Sequence, residues 1–345
     1  MNRSKQPTIK EIAKRLKIST STVSRALNDH PSIGLVTTMR VKKLAEELHY
    51  EPNKTAIFFK QRKTFTIGVI LPSLSEAFFS AAISEIENIA NSKNYTVILG
   101  QSLDDPEREL KIINTMKTHR VDGIILSAAK NTKQFEYIEM LQQAEIPVVF
   151  FDCVPDLPHI YAIVSDLKTG MYQAVETFIS CGHRAIAFLN GPAHLPASKE
   201  REEAFIQALT DKDIPVNSEY IVYTDLSEKG NEQAMLSLIG LRNRPSAIVS
   251  FNDYVTLDAM NAVRQKGLVV NQDIYFISYA NYPIWKYMEN PPMASIEQFP
   301  GEQGVLATQM LFDLIEANSA KPLDQGVPVE GQKIVLESKL ITQLS

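Results

Sequence analysis

The chain has 345 residues, 44% of them hydrophobic, with 35 Lys and Arg against 40 Asp and Glu. That length allows two or three domains with cores of their own, and no run of about 18 apolar residues is present for a membrane span. Two cysteines, Cys153 and Cys181, exclude a disulfide framework, and six scattered histidines lack ligand-like spacing, so no metal and no cofactor is expected.

Taken in order, the chain opens on the polar stretch MNRSKQPT, which has no secretory h-region. A soluble cytoplasmic protein with reduced thiols is expected. Ile9, Ile12, Ala13 and Leu16 then fall on one face of a helix with Thr8 as its N-cap. After a break at 17–19, a second helix starts at Thr20, Ser21 and Thr22. It turns Val23, Ala26 and Leu27 inward and leaves Thr20, Ser21, Ser24, Arg25 and Asn28 outside. Val41, Leu44, Ala45 and Leu48 supply a third helix. This is a helix-turn-helix whose second helix carries small polar residues and one arginine, a surface that a major groove accepts. Residues 1–63 hold 14 basic and 5 acidic side chains, a surplus of nine, whereas the remainder holds 21 and 35, a deficit of 14. A cationic head of this kind displaces counterions from phosphate, and the acidic body is repelled by the same polyanion.

The segment EPNKTAIFFKQRKTFT forms a joint. Pro52 stops the third helix, Asn53 can cap another, and residues 54–59 are too few for a helix stable alone in water. Phe58 and Phe59 either pack on a neighbouring domain or fold against DNA as an apolar wedge in the minor groove.

From Phe65 the period changes to short β-rich runs alternating with helical stretches. TIGVIL (66–71), YTVIL (95–99), GIIL (123–126) and PVVFFD (147–152) form a first series. YAIVSD (161–166), AIAFLN (185–190), YIVY (220–223), AIVS (247–250) and IYFISY (274–279) form a second. Such apolar runs suit parallel strands covered on both faces, and the alternation predicts two doubly wound α/β lobes with a cleft between them. Asp152, Asn190 with Gly191, Asn252 with Asp253, and Tyr279 lie at strand carboxyl ends, where ligands of such sheets bind.

These motifs, in this order, resemble the lactose-repressor (LacI/GalR) family over almost the whole chain. TIKEIAKRLKISTSTVSRALN is similar to its T-x-x-D/E-V/I-A…V-S…T-V-S-R-x-L-N signature, and EELHYEPN to E-L-G-Y-x-P-N. IGVILPSLSEAFF resembles I-G-V-I-x-P-x-x-x-N-P-F-F, and SCGHRAIAFLNGP resembles L-G-H-R-x-I-A-x-L-x-G-P. The resemblance implies a DNA-binding head at 1–51, a hinge helix at 52–64, and a periplasmic-binding-protein-like effector and dimerisation region at 65–345. Its first lobe would take about 65–163 and 294–322, and its second about 164–293 and 323–345. It further implies that Thr20, Ser21 and Arg25 read base edges, Arg25 suiting a bidentate contact to guanine. Thr8, Ser19, Ser24, Asn28 and Thr37 would hold phosphates. Asn53, Ala56 and Phe59 would serve the hinge, with Phe59 where most members place a minor-groove leucine.

For the cleft the resemblance points to Asp152, Arg201, Asn252, Asp253 and Tyr279 as effector contacts. Sugar-binding members usually read G-F/Y-D-D before the last crossover, and here Ser278-Tyr279-Ala280-Asn281 stands instead. Leu226 also lies near the place of a common aromatic stacking residue. The effector is therefore a different sugar, an acidic compound or a phosphosugar paired with Arg201, unless the pocket has lost binding. MASIEQ (293–298), the helix Glu302–Ala317 and KIVLES (333–338) would carry the chain through the first lobe and back to the second, three crossings in all. With no tetramerising heptads after Ser338, the expected assembly is a homodimer on a pseudo-palindromic double-stranded operator, without membrane association. An effector would act by shifting lobe angle and hinge folding, in either direction. An enzyme is disfavoured by the absence of GxGxxG after TIGVIL, of GxSxG and of a Walker lysine motif. An exported transport protein is disfavoured by the missing signal and the cationic head.

Overall fold

The computed structural model describes residues 7–50, 63–320 and 331–343. The chain divides into two compact units, Met1–Thr64 and Phe65–Ser345. The expected hinge residues Asn53, Ala56 and Phe59 lie outside the described residues.

The first unit holds α1 (Ile9–Leu16), α2 (Thr20–Leu27) and α3 (Leu35–Glu47). Lys17 closes α1 in the left-handed region at φ 54°, so that Ile18 N–H reaches back to the Ala13 carbonyl at 3.1 Å. The chain thereby reverses in two residues and α2 begins at once, with Ser19 Oγ accepting from Thr22 N–H at 3.0 Å. Thr8 holds the N-cap position of α1, as expected, although its side chain makes no capping bond; its carbonyl accepts from Glu11 and Ile12. Ile12, Ala13, Val23, Ala26, Val41 and Ala45 are buried together. Each larger one contributes roughly 1.5–3 kcal/mol by leaving water, enough to hold three short helices that would not persist singly.

The second unit contains two six-stranded sheets. The first lobe begins with β1 (Thr66–Leu71), α4 (Ala77–Ser92), β2 (Thr96–Gln101), α5 (Pro106–Thr118), β3 (Gly123–Leu126), α6 (Tyr137–Gln143), β4 (Val148–Phe151) and β5 (Tyr161–Asp166). The second contains α7 (Leu167–Ser180), β6 (Ile186–Asn190), α8 (Pro196–Thr210), β7 (Ile221–Tyr223), α9 (Glu228–Ile239), β8 (Ala247–Ser250), α10 (Asp253–Gln265), β9 (Tyr275–Tyr279) and β10 (Ala294–Glu297). The chain then runs through α11 (Pro300–Ala320), β11 (Lys333–Glu337) and β12 (Lys339–Thr342). Sheet orders are β11-β5-β4-β3-β1-β2 and β12-β10-β9-β8-β6-β7, parallel throughout except for the antiparallel β10–β12 pair.

Alternation along each strand feeds two cores. Ile67, Val69 and Leu71 pack with Phe79, Ala82 and Ile86 of α4 and Leu311 and Ile315 of α11, while Ile70 faces Ile113 of α5 and Leu141 of α6. Gly304 lets α11 lie against α4, because a Cβ there would come within 2.6 Å of the Ala82 carbonyl oxygen. In the second lobe, Phe188, Val249 and Ile277 pack on α7 and α8, and Leu189, Ile248 and Phe276 on α9 and α10. Among the described residues no helix is long and apolar enough to cross a membrane.

The doubly wound class is as expected, but the lobe boundaries need correction. YAIVSD does not open the second series: all of β5 pairs in the first sheet, between β4 and β11. The strand within MASIEQ pairs with β9 in the second sheet, so 294–297 does not belong to the first lobe. KIVLES lies in the first sheet beside β5, and the second lobe regains the chain only at β12. A strand's composition records that it is buried, whereas sheet membership depends on its hydrogen-bonding neighbour. β5 was further disguised because no helix separates it from β4.

Candidate functional site

Two groups of side chains stand out, one in each unit. On α2, Val23 and Ala26 are buried while Thr20, Ser21, Arg25 and Asn28 are exposed, which is the helix period turned into a core face and a solvent face. Thr8 and Ser19 are exposed, and Ser24 and Thr37 half-buried. Ser19 Oγ is engaged with the Thr22 N–H and within 2.7 Å of Ser21 Oγ, and Asn28 donates to the Ser24 carbonyl at 2.8 Å. Arg15 pairs with Glu11 and Lys42 with Asp29, both at 2.6 Å, but Arg25 has no ion pair among the described residues. Its guanidinium is available to an outside acceptor. Sequence reasoning missed one feature here: Leu35, Val36 and Met39 on the first turns of α3 are 76%, 73% and 63% exposed.

In the second unit the strand ends converge. From the first lobe, Asp152 follows β4 at φ 57° and accepts from Ser127 Oγ at 3.2 Å. Burial pushes its carboxyl above the usual range, and Lys130, Ser127 and Arg201 pull against that. Lys130 Nζ lies 3.1 Å from Asp104 Oδ2. Burial lowers this lysine, but Asp104, Glu76 and Asp152 outweigh it and leave it above its ordinary value. Glu76, just before α4, is raised by burial, drawn back by Lys130 and raised again by Asp152 and Asp104. Lys130, Asp104 and Glu76 were not among the expected contacts. Glu76 could have been noticed as the residue closing the loop after β1.

From the second lobe, Arg201 on α8 is only 5% exposed. Its guanidinium carbon sits 4.3 Å from the Phe251 ring centre and 4.1 Å from that of Tyr279, and Nη1 donates to the Phe251 carbonyl at 3.0 Å. Burial lowers its pKa, with Tyr279, Asp152 and Glu200 opposing. Gly191 makes room for this stack, since a Cβ there would lie 2.7 Å from the Phe251 ring. Arg201 Nε and Ser198 Oγ, one turn apart on α8, are buried without a hydrogen-bond partner.

The other expected contacts are turned to internal tasks. Asn252 caps α10 by accepting from Val255 N–H at 2.9 Å. Asp253 is wholly buried: Oδ1 gathers the hydroxyls of Ser278 and Ser295, and Oδ2 accepts from Tyr282 N–H at 2.5 Å. Burial still pushes its carboxyl up, to about 6. Tyr279 donates to the Leu167 carbonyl at 2.6 Å, and Asn190 to Glu202 and the Ser198 carbonyl. Asp253 thus fixes the loop after β9, where Ala280 and Asn281 both take positive φ, 101° and 52°. Ala280 and Tyr282 of that loop join the apolar cluster of the first lobe, beside Phe78 and Phe79. Tyr282 meets Tyr254 edge-on at 5.2 Å. A surface groove of about 500 Å³ lies along α5 at Leu110, Asn114 and Thr118 and includes none of the expected effector contacts. Among the described residues no group of three or more His, Cys, Asp or Glu is arranged to hold a metal ion, and Cys153 and Cys181 are free thiols.

Comparison with known proteins gives both units a relation. Residues 8–53 match the family described as bacterial regulatory proteins, lacI family, and residues 67–319 match the periplasmic binding protein domain. The chain is 34% identical over 318 residues to the "Probable HTH-type transcriptional repressor ExuR" of Bacillus subtilis (strain 168), covering 91% of this chain and 93% of that protein. A periplasmic binding protein/LacI transcriptional regulator from Alkaliphilus metalliredigens QYMF, complexed with D-xylulofuranose, is 27% identical with a TM-score of 0.67 over 81% of this chain and 99% of its own. The lac repressor dimer bound to operator and the anti-inducer ONPF shares the fold over 99% of this chain and 100% of its own, with a TM-score of 0.80 at 23% identity. The relatives are transcriptional repressors and not enzymes, and the chain belongs to the lacI family of bacterial regulatory proteins.

Proposed function

We propose that this chain is a cytoplasmic, homodimeric repressor that binds a pseudo-palindromic operator and is controlled by a small-molecule effector, a sugar or sugar derivative, between its lobes. Thr20, Ser21 and Arg25 read bases, and Thr8, Ser19, Ser24, Asn28 and Thr37 position the phosphate backbone. The hinge role falls to Asn53, Ala56 and Phe59. The observation that carries this reading is the outward row on α2, where Arg25 projects from a packed helix without an internal partner. Dimerisation through the second unit is supported by its exposed apolar side chains, Ile98, Leu99 and Leu103 in one lobe and Val269, Ile284 and Tyr287 in the other. The D-xylulofuranose complex of the Alkaliphilus relative supports a sugar-class effector.

In the cleft, Asp152 and Arg201 are the direct contacts. Asn252, Asp253 and Tyr279, each engaged internally, hold the pocket in shape. An effector that prefers one lobe angle changes operator affinity, and the operator changes effector affinity by the same factor. The test is selection of duplexes from a random pool by the full-length protein. Enrichment of a two-fold symmetric site is the expected result, and uniform recovery of all sequences with one salt slope would overturn the reading.

A further inference from the structure

We propose that the cleft takes a polyhydroxylated ring without negative charge, and that Glu76 is the residue that turns acidic sugars and phosphosugars away. This rests on the reading of the cleft as the effector site. In a doubly wound sheet the ligand sits where neighbouring strands send their connections to opposite faces. In the first sheet β1 lies between β2 and β3, so that place is between β1 and β3, and the segments leaving these strands carry Glu76 and Lys130. In the second sheet it lies between β6 and β8, whose ends carry Gly191 and Phe251, the ring that covers Arg201. Glu76 therefore stands at the point of ligand entry.

The charges there are unequal. Lys130 is committed to Asp104, by Nζ at 3.1 Å and by its own N–H at 3.0 Å. The carboxylate of Glu76 has no hydrogen bond or ion pair among the described residues, and that of Asp152 accepts only from Ser127. Against these two carboxylates the second lobe offers Arg201, whose guanidinium lies over the Phe251 and Tyr279 rings and whose Nε is unpartnered at 5% exposure. A ligand carboxylate or phosphate would meet two cations, Arg201 and the Asp104-paired Lys130, against the three carboxylates of Glu76, Asp152 and Asp104 in a partly dry cleft, an excess of like charge that suppresses binding. Ring hydroxyls instead donate to Glu76 and Asp152 and accept from Arg201 Nε. Burial first and the Glu76 charge second raise the phenols of Tyr254 and Tyr282, whose rings meet at 5.2 Å, and the Tyr254 ring, 43% exposed and backed by buried Tyr282, offers an aromatic surface suited to the C–H face of such a ring. They stand in for the aromatic side chain that Leu226 does not supply.

The experiment is calorimetric titration and thermal shift of the full-length chain with neutral sugars, amino sugars, uronic acids and hexose phosphates. Binding confined to neutral or amino sugars is expected. Glu76→Gln should then raise the affinity for the uronic acid of the responding sugar by about tenfold or more. A uronic acid or phosphate that binds the native chain as tightly as its neutral counterpart overturns the charge inference and leaves the effector reading standing. An unchanged neutral-to-acid ratio in Glu76→Gln likewise removes Glu76 from the role. If no sugar of any class binds, both the inference and the effector reading fall.

Discussion

The outer face of α2 and the cleft of the second unit use similar residue types in opposite ways. On α2, Thr20, Ser21 and Arg25 stand in water over a core that would pack equally well without them. In the cleft, Asp253, Tyr279 and Arg201 are buried and bound to one another's surroundings. A recognition surface that waits for a large polyanion can remain solvated, because the partner supplies the acceptors. A pocket for a small molecule must be held rigid beforehand, and much of its polar chemistry goes into holding it. Substitutions in the two places should therefore fail differently: cleft variants lose stability first, and α2 variants lose DNA discrimination while staying folded.

The largest effect is expected from Asp253→Ala, which leaves the Tyr282 N–H without its acceptor, takes one partner from each of the buried Ser278 and Ser295 hydroxyls, and opens a cavity among them. Denaturant unfolding should show a loss of about 3 kcal/mol or more, since each unmet buried group costs roughly 1–3 kcal/mol. A loss below about 1 kcal/mol, on the same scale, would mean that the loop after β9 is held by something else. Gly191→Ala comes next. The added Cβ overlaps the Phe251 ring and should cost about 1–3 kcal/mol, together with a measurable weakening of effector binding through the displaced Arg201 stack. Ser19→Ala removes the cap of α2 and should cost about 1 kcal/mol, seen in melting of the head alone if the two units unfold separately.

A pH effect accompanies these substitutions. Asp253 titrates in the folded chain at about 6, above the unfolded value of about 3.9. The folded state thus binds this proton more tightly, and the resulting stabilisation is full below the unfolded value and lost as pH rises through about 6. Between those limits the stability of the native chain should fall more steeply with pH than that of Asp253→Asn, the difference being the share of Asp253.

The same contrast explains what the sequence made legible. The three-helix head could be read because its core and its solvent face follow one period, with Ile12, Val23 and Val41 inward and Thr20, Ser21 and Arg25 outward. The two β/α lobes were readable from apolar runs of strand length. The membership of β5, β10 and β11 was not, because pairing between distant segments leaves no mark on either one alone. Strand-end placement drew attention to Asp253 and Tyr279 as ligand contacts, yet the direction of their side chains is set by Ser278, Ser295 and the Leu167 carbonyl, which their own local sequence does not announce. Glu76 and Tyr282 escaped notice for the same reason: one closes an ordinary loop, the other lies two residues past Ala280, and only the fold sets the Glu76 charge where it acts on the Tyr282 phenol. On the proposed reading, Ala280 stands where sugar-binding members usually carry an acid, and Glu76 supplies a carboxylate from the opposite lobe.

The central claim is that α2 reads sequence, and the most direct measurement is the affinity of native chain and Arg25→Ala for a selected operator and for random duplex across a range of salt. Loss of about 1–3 kcal/mol at the operator, little change on random duplex and an almost unchanged salt slope are predicted. Equal losses on both duplexes would make Arg25 a phosphate contact and contradict the account.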